Sequence, residues 1–146
     1  MSDVDLIIAR LKARVPDLGG RVAGAAEFAA LAATGKRPQV TPAAHVIPTG
    51  IAGKPMQPQV GLYVQKIERL FSVILSLRAA DVSASRSLTP AADMIEAIIA
   101  AMAGWELGSR IGVMMFQRCN LVDASQGALA YELSFSLSDQ LRINPS

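Results

Sequence analysis

Cysteine and histidine are almost missing from this sequence: across 146 residues each occurs once, at Cys119 and His45. One thiol closes no intramolecular disulfide, which fits a reducing compartment. One histidine forms no H-x-x-x-H pair, so a zinc site built within one subunit is excluded. Catalysis by histidine needs a partner of the right type within reach. His45 instead lies between alanine and valine in an expected strand, and reads as an ordinary strand or interface histidine. Cys119 follows Arg118, a neighbour that would lower a thiol pKa if the two faced each other. Adjacent strand residues point to opposite faces, so Cys119 reads as a buried small hydrophobe.

Other chemical signatures are missing too. No G-x-S-x-G is present. The glycines of Leu18 to Gly24 follow a helix and precede a strand, the reverse of a phosphate-cradling loop. Gly50 to Lys54 lacks the G-K-[ST] ending. Asp93 and Glu96 lie one helical turn apart near a helix start, where dipole and solvation account for them. The expectation is therefore no enzyme, no cofactor and no metal.

Charge and long apolar runs are equally thin. Fourteen basic residues against twelve acidic ones leave a net +2, and the basic residues are scattered, unlike the dense stripe of a dedicated nucleic-acid binder. Leu70 to Leu77 is far too short to span a bilayer and is interrupted by Ser72 and Ser76. The acidic opening, Met1 to Asp5, runs straight into an amphipathic pattern, unlike a signal peptide. A soluble, cytoplasmic chain without a membrane contact is expected.

What is present suffices for a folded unit. Hydrophobic residues make up 51%, which argues against disorder. A chain of this length buries about 70% of its unfolded surface, so one domain over 1–146 is expected. Aromatics are only 5%, and much of the apolar content is alanine. The core must rest on Leu, Ile, Val, Met and the few aromatic side chains.

Periodicity then places the elements. Val4, Ile7, Ile8, Leu11 and Val15 recur at helical spacing behind a cap at Ser2 and Asp5, and Pro16 ends that helix. Arg21 to Ala25 predicts a short strand, Ala25 to Ala33 a short helix, and Pro38 to Ile47 a strand troubled by Pro42. Pro48 to Val60, with its prolines and glycines, predicts an irregular loop. Leu62 to Leu77 alternates as a strand long enough to project beyond the sheet or bend. Arg78 to Leu88 predicts a polar connection. Thr89-Pro90 starts a second main helix with Ala91, Met94, Ile95, Ile98, Ile99 and Met102 as its stripe, ending at Gly104 with Trp105 packed on the core. Arg110 to Asp123 and Leu129 to Leu137 predict two strands joined by a turn at Ala124 to Gly127, with a frayed tail after Asp139. The fold class is α/β (α+β): an antiparallel or mixed sheet of about four to five strands, with two main helices on one face. Ile111, Val113, Met114, Met115 and Phe116 put apolar groups on both faces of one strand, so that strand is either central or an interface.

Several stretches resemble one family. Ile7 to Pro16, Arg21 to Leu31, the proline-bearing Pro38 to Pro48, Leu75 to Asp81, the helix ending at Gly104-Trp105, Cys119 to Asp123 and Ala128 to Tyr131 are together similar to tail terminator proteins of long, non-contractile-tailed bacteriophages. The resemblance covers nearly the whole chain and lies in the succession of elements. It implies an α/β fold and a structural virion protein without catalytic residues. It further implies a homo-hexameric ring that caps the tail tube protein, ends tail polymerisation and offers a docking surface to a head-tail connector or head completion protein. DNA would pass through the lumen without sequence-specific binding. The location implied is the tail–neck junction of the virion, after assembly in the host cytoplasm. A head-tail joining protein, and more distantly a small ligand-binding α/β domain, are the competing readings.

Within that picture the loop and the long strand are the first places to seek a neighbouring subunit or the tube. The candidate contact residues are Pro48, Gly50, Ile51, Lys54, Pro55, Met56, Pro58, Tyr63, Lys66 and Arg69. Arg69, Arg78, Arg86, Arg110 and Arg118 are the basic residues considered for the lumen.

Overall fold

The computed structural model describes residues 2–56, 61–78, 90–108 and 112–144. Helix α1, Asp3–Arg14, starts at a capping box: the Asp5 amide donates to Ser2 Oγ, and the Ser2 amide donates to the Asp5 carboxylate. Ile7 and Leu11, four residues apart on one face, are buried. A 3-10 turn over Pro16–Leu18 leads to a two-residue strand β1, Val22–Ala23, and helix α2, Ala25–Ala33. Then come β2 (Ala43–Gly53), β3 (Tyr63–Arg78), α3 (Pro90–Met102), β4 (Met114–Ser125) and β5 (Ala128–Ile143).

The sheet has five strands in the order β1-β2-β3-β5-β4, with β1 parallel to β2 and the remaining pairs antiparallel. It is the mixed sheet expected. Phe71, Val73, Leu75 and Leu77 of β3 and Leu133, Phe135 and Leu137 of β5 point to one face, and these join Ile7 and Leu11 of α1 and Ile98 and Met102 of α3 in the core. α1 and α3 thus share a face, as their apolar stripes require. Arg10 ties them together: its Nε donates to the Ala101 carbonyl at 2.6 Å, and its guanidinium lies 4.6 Å over the Trp105 ring. A cation is well placed at the carbonyl end of a helix.

α2 sits on the opposite face. Its Phe28 ring is 5.3 Å from the His45 ring, and His45 is paired with Ile74, outside the core cluster. Alongside α2 runs a groove of about 470 Å³ whose lining includes Leu31, Ile74, Ser76 and Ala130.

Several boundaries differ from the sequence reading, β4 among them, which spans Met114–Ser125 and so takes in the first two residues of the expected turn. β2 starts at Ala43, not Pro38, because Pro38 and Pro42 have no N–H to give a ladder. It then continues to Gly53, through half of the expected loop. Pro48, Gly50 and Ile51 are strand residues, and a bulge between Pro48 and Gly50 absorbs the missing donor. β3 neither projects nor bends away; it pairs with β5 over its whole length, Tyr63 with Ile143 and Arg78 with Ala128. For the same reason the tail after Asp139 is ordered as strand to Ile143, because the start of β3 supplies its hydrogen-bond partners. The polar connection after Arg78, with the Thr89 cap, lies outside the described residues.

Candidate assembly interface

β4 is the last strand of the sheet: it pairs with β5 on one side, and on its other side only the start, at Val113 and Met114, is bonded, to the segment Gly104 to Glu106, while the rest faces outward. Of the two readings left open by its doubly apolar pattern, the central one is therefore wrong. Nothing in the strand's own alternation separates the two readings, because both need apolar residues on each face. Only the strand order does.

The consequence is a band of exposed apolar side chains. Leu121 and Val122 are 51% and 52% exposed and Met115 is 51% exposed, with Val113 and Phe116 beside them. Phe116 packs its ring edge on Phe135, 5.7 Å away, and keeps its other side open. Bulges between Phe116 and Arg118 and between Leu121 and Asp123 kink the strand. Bulges on an edge oppose the addition of another strand, so this band is built for side-chain packing. Grouped exposed apolar residues of this kind mark protein contact sites more often than single ones do.

Cys119 lies between the two kinks and faces Leu133, whereas Arg118 faces Ser134. The two side chains therefore diverge, as the strand argument requires. Burial pushes the Cys119 thiol above its ordinary pKa, the opposite of an activated nucleophile.

A second apolar group stands across the sheet from β4, where β2 and β5 end and β3 begins. Ile51, Leu62, Tyr63 and Ile143 are exposed there, just past the start of α1, where Val4 borders Pro48, Ile51 and Arg69. Several expected contact residues fall in this region. Lys54 closes an ion pair of 3.3 Å with Glu68, and its carbonyl accepts from Gln65, which in turn accepts from the Tyr63 hydroxyl. Lys66 is exposed. Arg69 is engaged within the chain, 2.9 Å from Asp139. Pro55 and Met56 follow β2 without regular structure; Pro58 lies outside the described residues. The structure thus brings Ile51, Lys54, Tyr63, Lys66 and Arg69 to one end of a sheet, not to a loop. The apolar pattern of Val113 to Phe116 signals the start of the β4 band, whereas the exposure of Leu121 and Val122 carries no signal in the sequence.

Of the basic residues considered for a lumen, Arg78 donates to the Pro38 carbonyl and Arg118 is exposed on β4. Arg86 and Arg110 lie outside the described residues. Among the described residues no three of His, Cys, Asp and Glu gather as a metal set, and no helix is long and apolar enough to cross a membrane.

Comparison with known proteins adds a family and a fold. The family profile described as "Phage tail terminator protein" matches residues 1–145. No curated protein matches the chain. A chain from the solved virion of a native gene transfer agent particle superposes with a TM-score of 0.58 at 15% identity, covering 92% of each chain. At that identity the likeness speaks for the fold.

Proposed function

From the premise that this chain belongs to the phage tail terminator family, a family of structural tail proteins, we propose that it caps the tail tube as a homo-hexameric ring. The ring ends tail polymerisation and presents the surface on which a head-tail connector or head completion protein docks. DNA passes through its lumen without sequence-specific contacts. The protein works at the tail–neck junction of the virion, after assembly in the host cytoplasm.

The observation that carries this reading is the separation of two different apolar surfaces on one sheet. One is the β4 band of Met115, Phe116, Leu121 and Val122; the other is the end marked by Ile51, Leu62, Tyr63 and Ile143. Two unlike surfaces on each copy let copies join head to tail, and a closing rotation makes a ring. Lys54, Lys66, Arg69 and the neighbouring Pro48, Gly50, Pro55, Met56 and Pro58 belong with the second surface, toward a neighbouring copy or the tube.

Light scattering and negative-stain microscopy of the purified chain with tube protein test this. Rings and capped tubes are expected from the wild type. Leu121→Lys with Val122→Lys should leave a monomer that melts near the wild-type temperature, because exposed substitutions shift stability by only about 0.5 kcal/mol. A double variant that assembles normally rejects the β4 surface. Particles lacking the protein should carry overlong tails; tails of normal length without heads would favour a head-tail joining role.

A further inference from the structure

We infer that His45 is a pH-sensitive latch that holds α2 against the sheet at neutral pH and lets it go in mild acid. His45 is 5% exposed, and its Nδ1 is buried with no hydrogen-bond partner among the described residues. A buried, unpaired polar atom is costly in either protonation state and most costly when the ring is charged. The Phe28 ring of α2 closes over the imidazole at 5.3 Å.

α2 itself is weakly held. None of its residues is buried, in contrast to α1 and the core side of α3. It is suspended between two anchors: β1 on one side, paired at Val22 and Ala23, and Arg37 on the other, ion-paired to Asp123. An element with few buried contacts opens at low free-energy cost. Opening would give the imidazole the water that the closed state denies it.

The charges around His45 do not reverse this. Glu27 of α2 favours the charged ring, but its carboxylate already accepts from the Gly24 amide, and the loss of hydration outweighs it. The facing residues are uncharged, Ala23 on β1 and Ile74 on β3. Beyond Ile74 in the same row, Glu132 of β5 accepts from the Ser72 hydroxyl. The open state therefore binds a proton more readily than the closed one. By linkage, opening grows as pH falls below the ordinary value of 6.5, by up to about tenfold per pH unit, until the closed form protonates too.

Hydrogen exchange of the segment 25–33 between pH 7.5 and 5, corrected for the intrinsic rate, is the measurement. In the wild type the opening constant should rise as pH falls. In His45→Leu and in His45→Gln it should stay flat, circular dichroism confirming that each is folded. A flat wild-type profile, or the same rise in both variants, overturns the latch. Because the latch is also read directly from the wild type, an imidazole that titrates at or above 6.5 by NMR overturns it whether or not a variant folds.

Discussion

Arg37 and Asp123, 86 positions apart in sequence, meet at 2.7 Å and fasten the connection after α2 to the end of β4. The Ser125 hydroxyl joins both, accepting from Arg37 and donating to Asp123 Oδ1. These contacts sit beside the β4–β5 turn, so they hold the outer corner of the edge strand where Val122 is displayed. The Arg37 hydrogen bond first, and the Ser125 one second, hold the Asp123 carboxyl below its ordinary pKa of 3.8.

Arg37→Ala should therefore return the Asp123 carboxyl toward 3.8, read by NMR titration. The sign is that of a depressed carboxylate: the stabilisation is present above the ordinary pKa and is lost as pH falls through the folded value. Both side chains are more than a third exposed, so solvent screening keeps the change in melting temperature at neutral pH small. An Asp123 titration unmoved by the substitution would show that the pair does not form in solution.

Leu133→Ala tests the core. Leu133 is fully buried on β5, between β3 and β4. The lost burial and the remaining cavity should cost about 2–5 kcal/mol, measured by denaturant unfolding. A loss below about 1 kcal/mol would mean that β5 is not the packed centre of the sheet.

The β4–β5 turn allows a test with two opposite signs. Gln126 and Gly127 both have positive φ, 53° and 74°, between the paired Ser125 and Ala128, the form in which Asn-Gly is preferred. Gly127→Ala should destabilise by about 1–2 kcal/mol, the cost of a Cβ in the left-handed region. Gln126→Asn should raise the melting temperature. The same sign for both would refute the turn geometry.

Cys119 should react sluggishly with a disulfide reagent at pH 7.5, because burial raises its pKa from 9.0 and little thiolate forms. Its rate should climb steeply only in alkaline solution and approach that of a free thiol on unfolding. Rapid labelling of the native protein at neutral pH would contradict its place against Leu133.

Elements with a strong local period were legible from residues alone. α1 shows it in Ile7 and Leu11, α3 in Ile98 and Met102, and β5 in the alternation from Leu129 to Leu137, because such patterns arise within the segment itself. The end of β2 was not legible: Pro48 and Gly50 read as loop punctuation, yet the long β3 beside them offers a ladder that a bulge can join. The last strand residues, Gln140 to Ile143, were missed for the same reason. Of the expected contact residues, Arg69 carried no sign in its own segment that Asp139 would occupy it.

The sequence by itself determined the helices, the long strands and the resemblance that the family profile bears out. Only the tertiary structure decided that β4 lies at an edge, that α2 lies across the sheet from α1 and α3, and that Arg37 reaches Asp123. A segment's pattern records which of its sides avoid water. Which strand or helix comes to lie beside it depends on chain far away in sequence, and is set when the whole sheet closes.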